Sequence, residues 1–222
     1  MYPISEQLIN YNRSHQSLSP IGFVIHSTDT PGATAQNEHD YFNSGDRQAS
    51  SHYFVDATSI IRCIPESERA WHAGATANSK FLSAEMCEVS PFDQVWARTV
   101  WLVANACVRY GWETGPNVYS HRGGSAMYGE TNHTDPIQFL ANNGKTWDQL
   151  LSAIDAEIAN IKTPSTIIQG VVKVAEVKAV DPDPDCYVVV CIRESLSTAF
   201  MAKTVTEGFA CKKLTLGLLQ QK

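Results

Sequence analysis

A chain of 222 residues with 43% hydrophobic and 18% charged side chains can bury one full domain and carry a small appendage; it is neither disordered nor of low complexity. The net charge is −6, and the acid is concentrated: residues 1–162 hold 10 Lys and Arg against 17 Asp and Glu, the remainder 7 against 6. An acidic main body argues against nucleic acid as a partner, and no apolar run reaches the roughly 18 residues of a membrane span.

The N-terminus, MYPISEQLIN, lacks a basic stretch followed by an apolar core. The expectation is synthesis in the cytoplasm without a signal peptide. Ile21-Gly22-Phe23-Val24-Ile25-His26 follows Ser-Pro and precedes Ser-Thr-Asp-Thr-Pro-Gly, the pattern of a buried strand ending in a polar loop. Residues 34–42 read as a helix that stops near Asn43-Ser44-Gly45. Residues 52–56 and 60–64 read as a hairpin around Ala57-Thr58-Ser59, and residues 81–89 as another strand. Ser90-Pro91 then predicts a long helix with Ser90 as its cap, ending at Gly111. Residues 118–121 predict a short strand that ends on His121.

Thr146 and Gln149 have capping-box spacing, and behind them Trp147, Leu150, Leu151, Ile154, Ile158 and Ile161 share one helical face. Strands interleaved with helices predict an α/β fold, a central mostly mixed sheet flanked by helices. Residues 1–162 form the expected main domain. Residues 163–185, with Asp181-Pro182-Asp183-Pro184-Asp185, read as a stiff hydrated linker. Residues 186–222 read as a small C-terminal β-α-β appendage.

Six cysteines, Cys63, Cys87, Cys107, Cys186, Cys191 and Cys211, contain no Cys-x-x-Cys pair, so a thiolate zinc cluster is not expected and reduced, packed thiols are. Among seven histidines, His26 and His121 each end a predicted strand, and Asp135 follows His121 by 14 positions. Two histidines and a carboxylate with an open fourth position make a catalytic zinc set; strand-end histidines satisfied by hydrogen bonds are the plainer alternative. Glu85 sits inside an otherwise apolar strand, where a carboxylate is costly to bury without a role. It reads as a general base or as a solvated residue of an edge strand. Trp71-His72-Ala73-Gly74 reads as the wall of a cleft or as a plain turn around a packed Trp. His15 and His39 read as surface residues, and His52 as structural.

Several stretches together resemble the zinc-dependent N-acetylmuramoyl-L-alanine amidases of the type 2 class, which include phage endolysins and autolysins and are related to peptidoglycan recognition proteins. They are Val24-Ile25-His26-Ser27-Thr28, Ser51-His52-Tyr53-Phe54-Val55-Asp56, Ile64-Pro65, Trp71-His72-Ala73-Gly74, Ala84-Glu85-Met86-Cys87-Glu88, Ser120-His121 and His133-Thr134-Asp135-Pro136, in family order over roughly residues 1–160. The resemblance implies that His26, His121 and Asp135 hold Zn2+, that Glu85 is the base, and that His133 stabilises the oxyanion where relatives often have Lys. Ser51 stands where some relatives carry a catalytic Tyr. Trp71, His72, Ser27 and Thr28 are implied to line the substrate groove.

The implied partner is bacterial peptidoglycan, cut between N-acetylmuramic acid and L-alanine after the protein reaches the cell wall. A peptidoglycan-binding module without catalysis and a zinc peptidase acting within the stem peptide are the competing expectations. Residues 186–222 weakly resemble the first half of a SPOR repeat, which implies a wall-binding or homodimer-forming segment.

Overall fold

Gly22–Ser27 is the spine of the fold. In the computed structural model, which describes residues 1–163, this strand is buried along its whole length. Met1–Ser165 forms one compact unit. In chain order its elements are β1 (Ser5–Glu6), β2 (Gly22–Ser27), α1 (Ala35–Asn43), β3 (Tyr53–Val55), β4 (Ile60–Arg62), α2 (Ala75–Asn78), β5 (Phe81–Met86), α3 (Phe92–Tyr110), α4 (Thr114–Asn117), β6 (Val118–Ser120), α5 (His121–Tyr128), α6 (Ile137–Asn142) and α7 (Trp147–Lys162).

The six strands form one sheet in the order β1-β4-β3-β5-β2-β6. Only the β3–β4 hairpin is antiparallel; the other neighbours run parallel. The sheet is therefore mixed and flanked by helices, as expected. The hairpin turn is tied down by Asp56, whose carboxylate accepts the Thr58 and Ser59 N–H groups at 2.7 and 2.6 Å and the Ala35 N–H, at the start of α1, at 2.9 Å.

Alternation along the strands sorts side chains onto two faces. Phe23, Ile25, Tyr53, Val55, Leu82, Ala84 and Met86 pack beneath α3 and α7, which supply Leu102, Val103, Leu150 and Ile154 among others. Burying each Val, Leu, Ile, Phe or Met side chain among them contributes about 1.5–3 kcal/mol. Phe54, Ile61 and Cys87 face the other way, with Ala35 of α1. Val24 also joins a second-face cluster, with Ala73, Ala77 and Phe81. The same alternation puts His26 with Val24, and Ser83 and Glu85 with Cys87. Only glycine fits at the start of β2, because a Cβ on Gly22 would lie 2.3 Å from the Asn117 carbonyl oxygen.

The capping box at the start of α7 forms, with Thr146 Oγ1 accepting from Gln149 N–H at 3.2 Å. Helix α3 stops at Gly111 in the left-handed region, as its sequence predicts. Its start differs from expectation: Pro91, following a cis bond from Ser90, occupies the cap position, and no side chain caps the helix. His121 does not end a strand. It is the first residue of α5, and Ser120 caps that helix by accepting from Gly123 N–H at 3.0 Å. His39 is buried, not on the surface, beside Asp40 and Gln36.

Cys63, Cys87 and Cys107 are free and buried. Among the described residues no helix is long and apolar enough to cross a membrane. The linker expected up to residue 185, the appendage at 186–222 and Cys186, Cys191 and Cys211 lie outside the described residues.

Candidate metal centre

Three parallel strands end side by side where the site forms. The order β5-β2-β6 brings the carboxyl ends of these strands to one edge, where open α/β sheets place their ligands. His26 is the penultimate residue of β2 and is in register with Glu85, the penultimate residue of β5. His121 follows the last residue of β6. Asp135 arrives from the irregular segment between α5 and α6; its carbonyl accepts from Arg122 N–H at 3.3 Å, and Pro136 follows it through a cis bond.

His26 Nδ1 lies 3.0 Å from His121 Nδ1 and 3.1 Å from Asp135 Oδ2; His121 Nδ1 lies 3.1 Å from Asp135 Oδ1. Metal bonds of about 2.0–2.1 Å in a tetrahedron imply ligand atoms about 3.3 Å apart. Two imidazoles and a carboxylate at these separations thus fit a zinc-sized cation, and their three ligand atoms converge in one small cluster. Burial would raise the Asp135 carboxyl, but the His121 and His26 rings set against it outweigh burial and hold the group well below the usual carboxylate range. Burial lowers His26 against the pull of Asp135. The two directions favour an ionised Asp135 and a neutral His26 ring, the charge states a cation site needs.

Glu85 Oε1 stands 4.0 Å from His26 Nδ1, outside the triad but beside it. Burial, then the charges of Asp135 and Glu38, push its carboxyl well above the ordinary range. A raised carboxyl beside a cation site has the basicity that proton transfer needs. His133 is 63% exposed and stacks on His121, with ring centroids 4.6 Å apart and planes 12° apart. Ser27 N–H points at Asp135 Oδ2 from 3.4 Å. Thr28 Oγ1 is buried with no hydrogen-bond partner among the described residues. Trp71 is half-buried and pairs through its backbone with Ser50. His72 is placed behind the triad, its Nδ1 3.1 Å from His26 Nε2. Ser51 is buried against Ser83 Oγ at 3.0 Å.

Three contributors escape a reading of the sequence alone. Thr131 Oγ1 meets His121 Nε2 at 3.1 Å and Ser125 Oγ at 2.6 Å. Glu130 accepts from Thr76 N–H at 2.7 Å, clasping the Asp135 segment to α2; a Cβ on Gly74, whose φ is +90°, would lie 2.7 Å from the Glu130 carboxylate. Glu38 is buried and accepts from the Thr30 hydroxyl. Glu130 and Thr131 share the short stretch that carries His133 and Asp135, which is the one local signal for them.

His52 backs this region as a structural residue. Its Nδ1 accepts from Ser83 N–H at 3.0 Å and its Nε2 donates to the Glu68 carbonyl at 2.9 Å. Protonation would break the first bond inside a buried site, and burial pushes His52 down to about 4. The unfolded chain takes that proton near pH 6.5, so the unfolded state binds more protons between about pH 6.5 and 4. Stability is therefore expected to fall as pH drops through that window, with about 2 kcal/mol from His52 gone at pH 5. Urea midpoints at pH 7.5 and 5 should differ less in His52→Gln than in the parent chain; an equal difference would remove His52 as the source.

Residues 16–138, more than half the chain, match a protein family described as N-acetylmuramoyl-L-alanine amidase. The chain belongs to that family. The family is in general zinc-dependent, in keeping with a His-His-Asp cluster that could hold a metal. Over 125 residues the chain is 42% identical to the N-acetylmuramoyl-L-alanine amidase CwlL of Bacillus licheniformis, a match covering 47% of this chain and 34% of CwlL. The chain thus spans about a third of that relative's length. Among solved structures, the catalytic domain of XlyA superposes with TM-score 0.59 at 25% identity, over 68% of this chain and 99% of that one. The Staphylococcus aureus hydrolase AmiA in complex with its ligand shares the fold, with TM-score 0.65 at 24% identity, over 71% of this chain and 84% of that one.

Proposed function

We propose that this chain is a peptidoglycan hydrolase that cleaves the amide between the lactyl group of N-acetylmuramic acid and the L-alanine of the stem peptide. The observation that carries the reading is the convergence of His26, His121 and Asp135 within 3.1 Å of one another, with Glu85 set 4.0 Å from His26, in a chain of the amidase family.

His26, His121 and Asp135 would hold Zn2+, which when bound lowers the pKa of a coordinated water and polarises a carbonyl. Glu85 takes the proton of the attacking water and later delivers it to the leaving L-alanine amine. His133 is exposed at the mouth of the site and donates a hydrogen bond to the substrate oxygen as it gains charge. Its stack on His121 limits the ring's freedom and so holds the donor in place. Ser27 donates its backbone N–H to Asp135 and orients that carboxylate; Thr28 and Trp71 are assigned to the groove. The protein acts on the wall after release from the cell that makes it, and residues 186–222 serve wall binding or pairing of two copies.

Mass spectrometry of purified peptidoglycan digested by the chain tests the activity. Peptides beginning at L-alanine should appear, vanish with a zinc chelator and return with added zinc. Cuts within the stem peptide would mean a peptidase. Undigested wall that still co-sediments with the protein would mean a binding module.

A further inference from the structure

We propose that His72 is a positioning residue that dictates which nitrogen of His26 carries a proton, and so presents the bare Nδ1 of His26 to the metal centre. The inference rests on His26 being a ligand, as assigned above, and gives His72 a role different from a groove wall.

The row of polar contacts runs inward from a carbonyl. His72 Nε2 lies 3.3 Å from the Phe81 carbonyl oxygen, which can only accept, so Nε2 carries the hydrogen. In the neutral ring this leaves His72 Nδ1 bare. That nitrogen is 3.1 Å from His26 Nε2, which must therefore donate. His26 Nδ1 is then bare, and it faces Asp135 Oδ2 at 3.1 Å. Two acceptors at that distance repel unless a cation lies between them. The reverse assignment would leave the Phe81 carbonyl without this donor and put an N–H on the ligand atom.

His72 is itself held firmly. Its N–H and that of Ala73 both donate to Asn78 Oδ1 at 2.8 Å. Its ring stands edge-on to His26, with centroids 5.2 Å apart, and His52 packs behind it at 6.2 Å. His121 is treated differently: its Nε2 meets a hydroxyl, Thr131 Oγ1, which can donate or accept and dictates no tautomer. The lock on His26 is thus the stricter of the two. Outer partners of this kind typically set metal affinity by about 10–100-fold.

The test uses the full chain and zinc alone. His72→Phe keeps the ring and the packing but neither polar atom. Its zinc affinity, by competition with a chromophoric chelator, should fall by about 10–100-fold while the melting temperature without metal holds. His72→Gln, which can both accept and donate, should recover much of the loss. Unchanged zinc affinity in His72→Phe with a raised KM would return His72 to the groove wall. Should His72→Phe not fold, long-range nitrogen NMR of the zinc-loaded parent decides: both rings should be protonated on Nε2, and a proton on His72 Nδ1 would overturn the proposal. Zinc binding that responds to His72 in a chain releasing no L-alanine peptides would sink the amidase reading and leave this one standing.

Discussion

Glu85→Ala is expected to lower kcat by about 10²–10⁴-fold and to leave zinc bound. The range is what a positioned acid–base group supplies. The metal should stay because Glu85 lies 4.0 Å from the nearest ligand nitrogen and is not one of the three converging groups. The fold should not suffer either. A carboxyl that burial and two neighbouring carboxylates hold far above its ordinary range is a cost to the folded state, so its removal should hold or raise the melting temperature. Metal content, kcat and thermal melting on one preparation give the answer. Loss of zinc along with the rate would make Glu85 a ligand. Near-normal turnover would place the base elsewhere.

Asp135→Ala is expected to lose metal and activity together. Outer partners of metal ligands are worth about 10–100-fold in affinity, and a ligand should exceed that. Asp135 also supplies both oxygens of the triad, one to each histidine, at 3.1 Å. Its loss leaves two buried imidazoles and no anion against the cation's charge. After dialysis the variant should contain no zinc, and peptide release should fall to background. A variant that keeps one zinc per chain would sink the ligand assignment. The two variants separate the roles, because only one of them should retain metal.

Much of the fold is legible because its strongest signals are local. The apolar run through β2, the capping box of α7 and the Gly111 stop of α3 each lie within a few residues of chain. The errors have local causes too. Gly123 and Gly124 disguise α5 as a loop, so His121 reads as a strand end. Ser90 looks like a cap, but the helix starts one residue later than that pattern implies, with Pro91 in the cap position and no side chain capping it. The two residues of β1 and the four-residue helices α2 and α4 carry too few positions to show a period.

The site is harder to read. His26 and Asp135 stand 109 positions apart, and their meeting depends on strand order, which no local pattern encodes. Family resemblance, not spacing, groups them in the sequence. His72 shows the opposite limit. Its neighbours Ala70 and Ala73 are small, but nothing in the local sequence tells that its ring faces the back of His26.

The centre draws on two kinds of support. His26 and Glu85 lie near the ends of buried parallel strands, and His121 directly follows one, so their backbones are fixed by the sheet. Asp135 and His133 come from a segment with no regular structure, and confining each such residue costs about 1–2 kcal/mol of conformational entropy. The Glu130 clasp to Thr76 and the Thr131 contact with His121 offset that cost within the folded chain. Ordering of the segment is then a property of the fold rather than a toll on each binding event. Residues that touch neither substrate nor ligand atom thereby set how tightly the site can bind.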